Sequence, residues 1–171
     1  AISSEYSIVS LSDGQWAAIG ATASGGGSID LSFSLVSNHA TEPAVVRDID
    51  LTAYSGELDN VRAVAASKVF DDSGDKIGVA FVRKDSSGSH HLTVTKIDPT
   101  GTTAATALYD SAFYIDDLSD GTAGCEMETT ANADRLSIEY VKEGATGYFY
   151  ISYRDGADIK LAKIDDACSI V

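Results

Sequence analysis

Positive charge is scarce in this 171-residue chain: 12 Lys and Arg stand against 26 Asp and Glu, for a formal net charge of −14. Nucleic-acid binding rests on cations that neutralise phosphates, and attraction to an anionic membrane surface rests on the same groups, so neither partner is expected. Proline is nearly missing, at 2 residues, and with 15 Gly and 44% hydrophobic residues the chain is neither collagen-like nor disordered. No window sustains a helical period, and no apolar run approaches the roughly 20 residues of a membrane span. The 3 histidines, His39, His90 and His91, have no metal-ligand spacing with cysteine. Adjacent His90 and His91 point to opposite faces of a strand, which makes exposed strand histidines the simple reading. No Gly-x-Ser-x-Gly elbow marks any serine as a nucleophile. Only 2 cysteines occur, Cys125 and Cys168. An even count in an acidic, Ser/Thr-rich chain fits one disulfide in an oxidising compartment, the alternative being two buried thiols. The bond would close a loop of about 40 residues, worth roughly 3–4 kcal/mol on the chain-entropy account. The start at Ala1, without an initiator Met, fits a removed leader or a trimmed piece. Together these signs place the protein outside the cell or on its surface.

What is present is a pattern that recurs. A short strand ends in an acidic, glycine-bearing turn, an apolar strand follows, and a third strand alternates. Ser12-Asp13-Gly14 leads into Trp16-Ala17-Ala18-Ile19-Gly20-Ala21, Asp71-Asp72-Ser73-Gly74 into Ile77-Gly78-Val79-Ala80-Phe81-Val82, and Lys142-Glu143-Gly144 into Tyr148-Phe149-Tyr150-Ile151. Gly14, Gly74 and Gly144 fall 60 and then 70 residues apart. Such a unit buries its faces by stacking on its neighbours. The nearly continuous apolar runs of the middle strands predict cover on both faces. The alternating third strands, typified by His91-Leu92-Thr93-Val94-Thr95, predict one wet face.

The chain therefore reads as a single all-β domain over residues 1–171, with repeats at about 5–58, 60–117 and 132–171. Fourth strands are expected at 44–51, 104–109 and, truncated, 167–171. A long acidic connection from Ile115 through Gly124–Thr129 leads into the third repeat. Ala23-Ser24-Gly25-Gly26-Gly27 lacks the Lys-Ser/Thr ending of a phosphate loop and reads as a hairpin tip.

Candidate sites follow from side-chain chemistry. Asp71-Asp72-Ser73-Gly74-Asp75 alternates oxygens as a calcium loop does, but Lys76 and Val82 stand where an EF-hand frame needs Gly and Glu, which leaves a hairpin turn. Asp116, Asp117 and Asp120 are the candidate calcium ligands, and no other cofactor is expected. The aromatic stretch Tyr140, Tyr148, Phe149, Tyr150 and Tyr153 is rich enough for a carbohydrate-binding surface, though strand aromatics also serve as ordinary core. Even spacing puts Tyr148, Tyr150 and Arg154 on one strand face as the candidate ligand-binding set. No two of the 26 acids stand out as a catalytic pair.

With an acidic-glycine turn before each apolar strand, the units resemble blades of a β-propeller, and are most similar to the sialidase-like, Asp-box type. Phe70, Asp72, Gly74 and Ile77 occupy the box positions of the second turn, while Ser12-Asp13-Gly14-Gln15-Trp16 has the residue types one residue short on either side of the glycine. The resemblance implies three consecutive four-stranded antiparallel blades, with a β-sandwich as the alternative. Propellers take about four to eight blades, so three do not close a ring alone. Half of a homodimeric ring, a piece of a longer polypeptide, or a subunit docked on a partner would each satisfy that. No arginine cluster of the sialidase kind is present, and no catalytic residue carries over. The expected function is a non-catalytic extracellular module that binds a glycan or protein or builds a surface assembly such as a filament or sheath, self-associating or completed by a partner subunit. The alternative is part of a propeller-type glycan-processing enzyme.

Overall fold

The computed structural model of the chain describes residues 6–23, 29–37, 45–50, 61, 63–71, 74–84, 88–101, 126–129, 133–165, 167 and 169–171. Among these residues the regular elements are all strands, and they form three antiparallel sheets. In chain order, β1 (Tyr6–Ser10), β2 (Trp16–Ala23), β3 (Ile29–Val36) and β4 (Val45–Asp50) make the first sheet. The second consists of β5 (Ala63–Asp71), β6 (Gly74–Lys84), β7 (His90–Ile97) and β8 (Glu126–Thr129). β9 (Asp134–Glu143), β10 (Thr146–Asp155) and β11 (Asp158–Asp165) make the third. The turn glycines of the repeat, Gly14, Gly74 and Gly144, all have positive φ, at 83°, 114° and 66°. That backbone region is costly for residues with a Cβ, so each reversal needs glycine.

The second sheet lies between the other two, and pleating assigns its residues to two cores. Ile77, Val79, Phe81 and Ile97 point one way and pack with Val9, Ala17, Ile19, Leu31 and Phe33 of the first sheet. Ala80, Val82, Leu92 and Val94 point the other way and pack with Tyr140, Phe149, Ile151, Tyr153 and Ile164 of the third. The sheets approach most closely through their first strands, β1 against β5 and β5 against β9. Those strands are sheet edges, and serines from the preceding sheet satisfy their free backbone groups. Ser7 Oγ accepts from the Ala66 amide at 3.0 Å, and Ser67 Oγ accepts from the Tyr140 amide at 3.3 Å. Ser7 and Ser67 are 60 residues apart, the same spacing as the first two turn glycines.

Several expectations change. Three sheets, not the two of a sandwich, hold the strands. The third has three strands where four were expected; the tail contributes a single bridge, Ile170 to Ile164. Asp165 explains this by accepting the Ala167 and Ser169 amides, which turns the chain tightly and leaves only its last residues to reach β11. The segment assigned as a lead-in to the third repeat includes β8, whose Met127 pairs opposite Leu92 on the free edge of β7, so it belongs to the second sheet. The strand expected at 104–109 lies outside the described residues. β7 is buried from Leu92 to Ile97, including Thr93, Thr95 and Lys96, where one wet face was expected. Alternation there records which core each side chain enters, because sheets cover both faces. The middle strands divide as well: β6 is buried on both faces, but β2 and β10 belong to the end sheets and keep one face open.

Candidate functional site

The outer face of the third sheet brings together most of what could recognise a partner. Along β10 the side chains alternate, so Phe149, Ile151 and Tyr153 enter the core while Tyr148, Tyr150, Ser152 and Arg154 stand on the outer face. The aromatic stretch thereby splits in two. Tyr140 and Phe149 are core, with ring centroids 5.1 Å apart at 55°; Tyr148 and Tyr150 are surface.

The register brings residues to these tyrosines that sequence spacing did not single out. Tyr150 pairs with Glu139 on β9 and Lys163 on β11, and Tyr148 pairs with Val141 and Asp165. The Lys163 ammonium sits 3.8 Å from the centroid of the Tyr148 ring and 5.1 Å from that of Tyr150, a cation–π arrangement. Glu143 accepts from the Tyr150 hydroxyl and, at 3.2 Å, from Lys163. The Tyr150 hydroxyl and then the Lys163 ammonium hold the Glu143 carboxyl below its ordinary range. Tyr150 and Glu143 in turn hold Lys163 above the usual lysine range, against the desolvation that opposes them. At the other end of the strand Arg154 makes a two-pronged pair with Asp134, its Nε at 2.7 Å and its Nη2 at 2.5 Å. The fork of Arg154 is thus occupied by Asp134, and it stands apart from the tyrosine–lysine–glutamate group. Glu143 and the turn around Gly144 fix this register, so the turn glycine was the signal that could have found it.

Beside Tyr150 lies an open cleft of about 510 Å³, lined by Ser137, Glu139, Ser152, Leu161, Lys163 and Val171. Leu161 and Ile159 are 81% exposed on this face, while the smaller Ala162 is buried on the opposite one. A solvent-facing strand surface normally carries polar residues, so two large aliphatics there are the feature most in need of a partner.

A second cleft, of about 570 Å³, opens between the turns of the first two sheets, near Ser12, Asp13, Gln15, Asp75 and Lys76. Its polar groups tie the chain to itself. Asp75 accepts from the Ser12 amide and hydroxyl and pairs with Lys68 at 2.7 Å; Lys76 pairs with Asp98 at 2.6 Å. Asp13 and Asp98 each accept the amide two residues ahead, from Gln15 and Thr100, as turn aspartates do.

No family model matches the chain, and no curated protein matches it. Among the described residues no group of three or more His, Cys, Asp or Glu is placed to hold a metal. The candidate calcium ligands Asp116, Asp117 and Asp120 and the cysteines Cys125 and Cys168 lie outside the described residues, as does His39. His90 and His91 are half-buried on β7, opposite Lys84 and Arg83. No helix among the described residues is long and apolar enough to cross a membrane.

Proposed function

We propose that this chain is a non-catalytic extracellular recognition and assembly module, whose sheets are propeller-type blades and whose docking surface is the outer face of β9–β11. The observation that carries the reading is the exposure of Ile159 and Leu161 beside Tyr150, on a face whose Lys163 and Arg154 already pair with carboxylates. Covering each aliphatic is worth roughly 1.5–3 kcal/mol. Because Glu143 neutralises Lys163 and Asp134 neutralises Arg154, a partner arriving there leaves neither of these cations alone. The blade reading draws support from the meander order of the strands, the repeated turn glycines and the approach of the sheets through their first strands.

A glycan is the second reading, favoured by the Tyr150 ring beside an open cleft with Glu139, Ser137 and Ser152 at its rim. Hydrolysis of a glycan has less support on this face. A glycosidase sets its two carboxyl groups about 5–9.5 Å apart. Glu139 and Glu143 lie four residues apart on one face of β9, roughly 13 Å along the strand.

Ring resonances of Tyr148 and Tyr150 test the reading in two series, one varying protein concentration and one adding neutral oligosaccharides. Movement with concentration alone supports protein docking, and movement with sugar supports glycan recognition. In either case Leu161→Ala and Tyr150→Ala are expected to weaken the response at least about tenfold. Rings that stay still in both series overturn the docking surface, and turnover of a glycan substrate overturns the non-catalytic reading.

A further inference from the structure

We infer that the partner of this face is a second copy of the same chain, which places the outer face of its first sheet on the outer face of the third. The chain already makes this kind of contact twice. The first sheet sets one face on the second, and the second sets the corresponding face on the third, always face to back. A series joined this way leaves one half-interface open at each end. The large apolar side chains on the two open faces agree: Tyr6 and Ile8 on the first sheet, and Val141, Tyr150, Ile159 and Leu161 on the third.

Size is complementary as well. The internal contact seats a ring over a residue without a side chain, since a Cβ at Gly78 would lie 2.2 Å from Phe149 Cε1. The open face of the first sheet is low in the middle, with Ala18 and Gly20 on β2 paired with Ser34 and Ser32 on β3. The open face of the third sheet is tall, carrying Tyr148, Tyr150 and Leu161. On the tall face Lys163 pairs with Glu143 and Arg154 with Asp134, while the low face carries Asp50 and Asp48 in register with Ser32 and Ser34 at its β4 edge. Two copies joined at both ends bring six sheets together, within the range of about four to eight that propellers close. Such a contact is directional: each copy offers one face and receives on the other.

The pairing rests on the docking-surface reading above, and the experiment separates the two. Sedimentation of the 171-residue chain over a concentration series should show a species of twice the chain mass. Leu161→Glu, on one face, and Ile8→Glu, on the other, should each lower the association constant at least about tenfold. Both positions are exposed, so folding is retained; slow amide exchange in β6 provides the check. Mixing the two variants should restore a two-chain species, because the intact face of one meets the intact face of the other. A wild-type chain that stays single at every concentration overturns the pairing. So does an Ile8→Glu variant that pairs as well as wild type, since like faces would then be meeting, or a mixture that fails to reassociate. If the wild type stays single while oligosaccharide moves the Tyr150 ring, the pairing falls and the recognition module stands.

Discussion

Two glycines of β6, four residues apart, are there for different reasons. Gly74 has φ 114° and open space around it, so conformation demands it. Gly78 is held by space alone, because Phe149 fills the position a side chain would take. Gly78→Ala is therefore an overpacking change in a closed core, expected to cost about 1–3 kcal/mol in denaturant unfolding. The same change made on a Phe149→Leu background should cost less, and equal costs would show that the ring is not the obstacle. Asp75 makes a second prediction at this scale. Burial pushes its carboxyl up, but Lys68 and the Ser12 donors outweigh burial and hold it below the ordinary value of 3.8. The folded chain then binds that proton less readily than the unfolded one, so the contribution is present above 3.8 and is lost as pH falls through the lowered folded value. Asp98, pushed up by burial but brought down further by Lys76 and Thr100, adds to the same window. Asp75→Asn should flatten the fall in stability with acid, and an unchanged slope would remove Asp75 from the account.

Elements are joined here by edge-strand chemistry. β5 pairs within its own sheet only with β6, so the outward amides on its other side need acceptors. Ser7 supplies one to Ala66, from a position one turn-glycine period ahead of Ser67, which does the same for Tyr140 on β9. Ser7→Ala should cost about 1 kcal/mol and speed hydrogen exchange at the Ala66 amide, with little change at Val79 across the hairpin. Exchange at Ala66 that stays as slow as in the wild type would mean that another group protects it. β11 shows what burial does when an element lies at the end of a stack. Its core face needs only Ala162 and Ile164, so Ile159 and Leu161 fall on the other side.

Among the described residues the sheets form a stack with a covered middle and two open ends. Among these residues the second sheet has a core on each face, whereas each end sheet has one. Native-state exchange should therefore be slowest in β6 and β7 and faster in β2 and β10, although β2 and β10 are also central in their own sheets. Equal protection in β6 and β10 of the dilute chain would contradict this ordering. The formal charge of −14 bears on the ends too, since two like-charged chains repel before their faces meet. Pairing should strengthen from low to moderate salt, where the screening length shrinks to about 10 Å at 0.1 M.

Legible in the sequence were the features that local chemistry decides. Gly14, Gly74 and Gly144 mark reversals only glycine makes cheaply, and the alternation of β10 put Tyr148, Tyr150 and Arg154 on one face before any fold was known. The sequence also determined that the strands fall into three successive units. Only the tertiary structure decided which faces those units cover. His91 to Thr95 alternates as a wet strand would, yet β7 is buried from Leu92 onward because its Thr93–Thr95 side, shared with Val79 and Phe81, faces the first sheet. Arg154 looked available for a ligand until Asp134, twenty residues earlier, took its fork across the β9–β10 register. Lys163 and Glu143 joined the tyrosines in the same way. A pleat repeats every two residues and is visible locally, whereas burial depends on a neighbouring sheet whose position is set far along the chain.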